Sequence, residues 1–177
     1  MGEALWRPSA ERIATAEITR FTAFVNQTWN ARAVDYPSLH HWSVRYPEQF
    51  WDAVWGFAGI VAETKGDTVV EKEHRMPGAR WFPEARLNYA ENLLRRRDDA
   101  EAIVFWGEDR VRRSLSHARL YDTVSVLAQA LADVGVSRGD RVAGYLPNMP
   151  EAITAMLATA SNDAGQPLIA HLLELRN

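Results

Sequence analysis

The sequence contains no cysteine. That excludes a disulfide framework, thiolate-held zinc or iron–sulfur centres, and a cysteine nucleophile. It also lacks any uninterrupted apolar run of about 18 residues, the length a spanning helix needs. The opening Met1-Gly2-Glu3-Ala4-Leu5-Trp6-Arg7-Pro8 has an acid, an arginine and a proline where an export signal needs a basic start and an apolar stretch. Charge of one sign is scarce as well: 23 acidic and 20 basic side chains leave a net charge of -3. Such a balance gives no electrostatic footprint for nucleic acid or for anionic lipid. These absences together predict a soluble, cytoplasmic protein with no nucleic-acid and no membrane partner.

Catalytic signatures are missing too. No serine stands in a Gly-x-Ser-x-Gly setting, and neither a Gly-x-x-x-x-Gly-Lys-Ser/Thr loop nor a Gly-x-Gly-x-x-Gly turn occurs. His40 and His41 are adjacent, so on a helix they point about 100° apart and cannot share a metal. His74, His117 and His171 have no second histidine at useful helical spacing. There is no internal repeat and no low-complexity segment.

What is present is core material. Of 177 residues 47% are apolar, including seven tryptophans, and a chain this long can bury roughly 70% of its unfolded surface without staples. Ile18, Phe21, Phe24, Val25 and Trp29 recur at three- and four-residue steps, which predicts a helix over 17–29 with that stripe buried. Ser38 is expected to open a short helix carrying Leu39, Trp42 and Val44, and Pro47 suits the first turn of a third. Phe50, Trp51, Val54, Trp55 and Phe57 leave that third helix almost no polar face, so it should lie between other elements. Thr68 to Glu71 reads as an edge strand. Arg75 to Pro83, with its Pro-Gly turn signal, reads as a loop anchored by Trp81 and Phe82. Leu87, Ala90, Leu93 and Leu94 predict a helix over 85–97.

The period then changes. Ala102 to Trp106 reads as a strand, Gly107-Glu108-Asp109 as a turn, and Val111 to Leu115 as the hairpin partner. Ser116 should cap a helix marked by Leu120, Val124, Leu127, Leu131 and Val134, with Gly135 in the left-handed position that ends it. Arg141 to Leu146 is a second buried strand candidate, and Pro147-Asn148-Met149-Pro150 turns into a helix over 151–160. Strand, turn and helix after a hairpin and helix is the opening of an α/β layered domain.

Few residues invite a chemical role. Arg95-Arg96-Arg97 could hold a phosphate, but cations at a helix end compensate exposed carbonyls, and Asp98-Asp99 neutralise most of their field. Gly135-Val136-Ser137-Arg138-Gly139-Asp140 lies before a strand, the wrong side for a phosphate cradle. Trp51, Trp55, Trp81 and Trp106 could stack a base; tryptophans in apolar stripes are more readily core. No catalytic, cofactor-binding or metal-ligating residue is assigned.

Two long segments carry a resemblance. Gly135-Val136-Ser137-Arg138-Gly139-Asp140-Arg141-Val142, followed by Pro147-Asn148 and Glu151, is similar to an early motif of adenylate-forming acyl-CoA synthetases. Ala79-Arg80-Trp81-Phe82-Pro83-Glu84-Ala85-Arg86-Leu87-Asn88-Tyr89-Ala90-Glu91-Asn92 resembles the acetyl-CoA synthetase N-terminal region. With Met76-Pro77-Gly78 before it, the wording is nearest the acetoacetyl-CoA synthetase branch. Phe24-Val25-Asn26 and Leu39-His40-His41-Trp42-Ser43 fit the same branch, and the likeness runs from about Leu5 to Ser161.

The resemblance implies an α/β fold in three stretches. These are a helical acetyl-CoA synthetase-type region over 1–98, the first hairpin and βα units of an incomplete adenylation domain over 99–161, and a divergent tail over 162–177. It implies a ligase that joins acetoacetate to CoA through an acyl-adenylate, using ATP, Mg²⁺ and CoA in the full-length family and small-molecule substrates there alone. The phosphate loop, acyl pocket and C-terminal domain have no matching positions in this chain, so the expectation is an N-terminal fragment inactive by itself. The other readings are a non-catalytic assembly module derived from such an enzyme, and a piece of an acetyl- or propionyl-CoA synthetase. In the tail, Leu168, Ile169, Leu172, Leu173 and Leu175 suggest one amphipathic helix; a frameshift, an insertion or a gene-model error would each explain its divergence. An uncovered sheet edge beside Arg141 to Leu146 predicts self-association or aggregation.

Overall fold

A computed structural model describes residues 5–108, 111–162 and the backbone of 171–172. It divides into two compact units: residues up to Ile60 with Gly66–Glu84, and Val61–Lys65 with the residues from Ala85 onward.

The first unit is helical. Ser9 accepts from the Arg12 N–H and caps a short helix, α1 (Ala10–Ala14). Helix α2 (Glu17–Trp29) has the predicted bounds and ends on Asn30 in the left-handed conformation. Its buried stripe is narrower than the periodicity predicts: Phe21 and Val25 are buried, whereas Ile18 and Trp29 at its two ends are exposed. Periodicity sets a face but not how far the partner reaches along it. Helix α3 (Tyr36–Arg45) begins earlier than expected. Asp35 is its N-cap, and Ser38 is the third helical residue of a capping box, its hydroxyl accepting from the Asp35 N–H while the Asp35 carboxylate accepts from the Ser38 N–H. Leu39 and Trp42 are buried and Val44 is exposed.

Helix α4 (Pro47–Ala58) opens with proline as expected. Its apolar girdle meets neighbours on more than one side: Phe57 packs on Phe21 and Phe24 of α2, Trp51 lies 5.6 Å from Trp81, and Trp55 lies 4.7 Å from Phe82. Trp81 and Phe82 thus anchor their loop. Strands β1 (Val70–Glu71) and β2 (Arg80–Trp81) pair antiparallel, a shorter version of the expected edge strand. The Glu84 carboxylate accepts the backbone N–H groups of Asp67 and Thr68 at 2.8 and 3.2 Å. Gly66 permits this approach: its φ is 81°, and a Cβ there would stand 2.4 Å from the Cβ of Glu84.

The second unit carries the α/β part. The helix expected over 85–97 is only α5 (Tyr89–Leu93), capped by Asn88. Arg86 is engaged in a bridge with Thr64, which holds the preceding residues extended and delays the helix. Strands β3 (Glu101–Trp106) and β4 (Arg112–Ser116) form the predicted antiparallel hairpin, with an irregularity between Glu101 and Ile103. Ser116 accepts from the Arg119 N–H and starts α6 (His117–Asp133), after which Gly135 takes φ 93°.

Of the buried strand expected over 141–146, only Ala143–Gly144 is regular, as β5, and its surroundings alternate, with Tyr145 76% exposed. Burial of a strand needs layers on both faces, and among the described residues one face remains open. Helix α7 (Pro150–Ser161) follows and leads to β6 (His171–Leu172), parallel to β5. That pairing corrects the expected tail helix at 171–172, because a parallel partner on the edge of β5 outweighs a local leucine pattern that fits either state. The rest of that expected helix lies outside the described residues. Buried Ala90, Leu94, Leu120, Val124, Leu157 and Ala158 form the core between α5, α6 and α7.

Candidate functional site

A trough of about 810 Å³ lies in the second unit between β4, α6 and the start of α7. Strand alternation brings Arg113 and Leu115 to the side of β4 that also carries Phe105 and Ile103 across the ladder. Pro150 fixes the first turn of α7, so Glu151 follows in the position where the helix dipole favours an acid. The result is a two-pronged ion pair: Arg113 Nη1 and Nη2 donate to Glu151 Oε1 and Oε2 at 2.7 and 2.9 Å. Arg113 holds the Glu151 carboxyl below the usual glutamate range, helped by the Glu151 N–H, and Glu151 raises the Arg113 guanidinium in return. The pair fastens the hairpin to α7. Val126, Leu127, Ala130 and the buried Thr154 complete the apolar part of the lining, with Arg119 and Asp122 at the rim. The Thr154 hydroxyl donates to the Pro150 carbonyl, so this buried polar group is satisfied within α7.

The residues weighed from sequence scatter rather than converge. Arg95 Nε donates to the Asn92 carbonyl at 3.1 Å, which is the helix-end compensation expected of it. Arg96 pairs with Asp98, and the Arg97 guanidinium stands 3.8 Å from the Tyr121 ring centroid. In the Gly135–Asp140 turn, the Asp140 carboxylate accepts both the N–H and the hydroxyl of Ser137 at 2.8 and 3.0 Å. Those hydrogen bonds lower the Asp140 pKa. An acid thus occupies donors that a phosphate would need.

His40 stacks on Tyr36, His74 lies 3.0 Å from Glu73, and His117 is the first residue of α6. Among the described residues no group of three histidines or acids could hold a metal ion. Trp51, Trp55 and Trp81 pack with rings of the first unit. Trp106 departs from the expected core role: it is 67% exposed on the outer face of the hairpin, with the Arg112 guanidinium 4.2 Å from its ring centroid. Strand alternation gives the reason, since Ile103 and Phe105 take the inner positions. The Arg113–Glu151 pair, which the sequence reading did not find, spans 38 residues and has no local signature.

A second hollow, of about 470 Å³, lies in the first unit and is walled by Phe21, Leu39, Phe50 and Phe57 with Glu17 and His40 at its edge. No helix among the described residues is long and apolar enough to cross a membrane.

Comparison with known proteins places these features. Residues 36–93 match the family of the acetyl-coenzyme A synthetase N-terminus, and residues 90–165 match the AMP-binding enzyme family. An acetoacetyl-coenzyme A synthetase of Rhizobium meliloti (strain 1021) is 43% identical over 157 residues, covering 89% of this chain and 24% of its own. An acetoacetyl-CoA synthetase of Rattus norvegicus is 36% identical over 163 residues, covering 90% and 24%. A malonamoyl-CoA synthetase of Penicillium aethiopicum is 36% identical over 166 residues, covering 90% and 23%. Among solved structures, the acetoacetyl-CoA synthetase from Streptomyces lividans superposes with a TM-score of 0.78 at 41% identity, over 96% of this chain and 27% of its own. The chain therefore spans about a quarter of the length of the relatives it matches. Residues 36–93 and 90–165 thus align, in order, with the acetyl-CoA synthetase-type N-terminal region and with part of an AMP-binding enzyme domain, and over most of its length the chain is similar to acetoacetyl-CoA synthetases.

Proposed function

We propose that the chain is the scaffold portion of an acetoacetate–CoA ligase. In that reaction ATP and acetoacetate give acetoacetyl-adenylate and pyrophosphate, and the thiol of CoA then displaces AMP to give acetoacetyl-CoA. The observation that carries this reading is the 43% identity to an acetoacetyl-coenzyme A synthetase over 157 residues, together with 41% identity at a TM-score of 0.78 to a solved one. The malonamoyl-CoA synthetase relative matches the same stretch at 36% identity. Acyl choice is accordingly assigned to residues elsewhere in such enzymes.

On this reading residues 1–98 form the acetyl-CoA synthetase-type region and 99–161 begin the adenylation domain, and the protein works in the cytoplasm. ATP, Mg²⁺, CoA and the acyl group are held by residues outside this chain. Its own residues supply packing: the Arg113–Glu151 clamp fixes the hairpin on α7. Phosphoryl chemistry needs a cradle of backbone N–H groups and a cation to offset developing charge, and the sequence has no Gly/Ser/Thr-rich loop to provide one.

The test is acetoacetate-dependent pyrophosphate release by the purified 177-residue chain with ATP, Mg²⁺ and CoA. No release above a boiled control is expected, and turnover would overturn the scaffold assignment. Sequencing the DNA downstream in all frames is the companion measurement. A phosphate loop encoded there supports the ligase reading, whereas its absence turns the reading toward a non-catalytic module.

A further inference from the structure

Arg20, Arg80, Arg96 and Arg113 each pair with a carboxylate, and Arg95 donates to a backbone carbonyl. Arg32 and Arg45 differ. Among the described residues neither has an ion pair or a side-chain hydrogen bond, and Arg45 has only the Tyr46 ring, with its centroid 6.0 Å away. Both line one open hollow of about 680 Å³ beside α3 in the first unit. His41, equally unpaired among the described residues, lines it too and stands one helical turn before Arg45 on the same face of α3.

The place of Arg32 is fixed by its backbone. Its φ of 54° is left-handed, a conformation few residues other than glycine and asparagine take. The neighbours hold it there: Asn26 accepts the Ala33 N–H and donates to the Ala33 carbonyl, both at 2.8 Å, while the Ala31 N–H donates to the Val25 carbonyl. Backbone strain that the surroundings impose in this way clusters where ligands are held.

The acid in the lining, Asp35, is already engaged, since its carboxylate accepts the Ser38 N–H at 2.9 Å and the Ser38 hydroxyl. Two guanidinium groups against one engaged carboxylate leave a positive field in the hollow, and the His41 ring adds an N–H donor. Guanidinium forks match the oxygens of phosphate, and an open hollow suits an anion that keeps part of its water.

We propose that Arg32, His41 and Arg45 form a binding site for a phosphate-bearing anion in the helical first unit. The inference does not draw on the ligase reading, whose ATP is held by residues outside this chain. Tyr46, 47% exposed and also in the lining, offers a ring on which the base of a nucleotide can stack.

The test is calorimetric titration of pyrophosphate into the 177-residue chain at low ionic strength, where a dissociation constant below about 1 mM is expected. Arg32→Asn, which suits the left-handed backbone, and Arg45→Gln should each weaken binding at least about tenfold. Both arginines are exposed, so these variants keep the fold. Arg12→Gln, on α1 of the same unit, should leave binding unchanged. The proposal is overturned by absence of binding, by arginine variants that bind as tightly as the parent, or by an equal loss in Arg12→Gln, which would show a diffuse surface field and no site. ADP then separates the two sources of the anion. Tighter binding of ADP that Tyr46→Leu abolishes assigns a nucleotide to the site, and equal binding of ADP and pyrophosphate assigns free phosphate.

Discussion

In the first unit the buried residues meet through rings. Phe21 lies edge-on to Phe50 and Phe57 at 5.9 and 5.2 Å, and Trp42 is edge-on to Phe50 at 6.2 Å. In the second, Ala90, Leu94, Leu120, Val124, Leu157 and Ala158 do the same work with aliphatic groups, and α7 alone contributes six buried residues, from Pro150 to Thr159. Large rings contribute while only partly covered, and their edge-to-face contacts add to the area they bury. That is how α4 holds its place with Ala53 as its one fully buried residue. Small aliphatic groups need full enclosure, so the second unit concentrates its core on a helix pair and leaves Val126 on the other side of α6 exposed.

The units share one device. Asn26 in the first accepts the N–H and donates to the carbonyl of Ala33, both at 2.8 Å. Asn92 in the second does the same for Val61 at 2.9 and 2.8 Å. Each amide stands in for a strand partner where the chain is irregular.

The comparison is most sharply tested by Trp42→Ala. Removing a 5%-exposed ring from the first core should cost about 3–5 kcal/mol. Denaturant unfolding followed by amide exchange in α2–α4 measures it, and a cost below about 1 kcal/mol would break the claim that rings hold this unit. Leu157→Ala comes next, at about 2–5 kcal/mol. The 2%-exposed Leu157 has no ring neighbour in its core cluster other than the partly buried Tyr121, so the cavity left behind should persist. Exchange in α6 and α7 is the readout.

The smallest effect concerns acid. Glu84 in the first unit and Glu151 in the second both lie below 4.5, the ordinary glutamate value, the former through the N–H groups of Thr68 and Asp67 and the latter chiefly through Arg113. A carboxyl depressed on folding adds stability that is complete above 4.5 and is lost as the pH falls through its folded value. Glu84→Gln and Glu151→Gln should therefore each flatten the loss of stability below that pH. In about 1 M salt the Glu151 contribution should shrink, because an exposed ion pair is screened, while the Glu84 contribution to backbone N–H groups persists. Equal salt sensitivity at the two sites would erase the distinction.

Much of the fold was legible because its signals are local. The three- and four-residue steps from Ile18 to Trp29, proline at position 47, and Ser116 with Gly135 around α6 each mark an end or a face through their own backbone chemistry. Two neighbouring assignments failed because distant partners intervened. Arg86 bridges to Thr64 and shortens α5, and β6 joins β5 where leucine spacing suggested a helix. The trough was not legible at all. Glu151 stands out only as part of a motif and Arg113 not at all, and the two meet because a hairpin and a helix N-terminus are brought together.

The sequence by itself determined that this chain has no thiol chemistry, no phosphate loop and no metal cluster signature, and that its segments form helices and a hairpin in a stated order. Those properties follow from residue identity and short-range periodicity. Only the tertiary structure decided which apolar faces are covered: Val124 is buried and Val126, two residues away on the same helix, is exposed. Hydrophobicity is the same at both positions; what differs is whether another element stands opposite, and that depends on packing partners far along the chain.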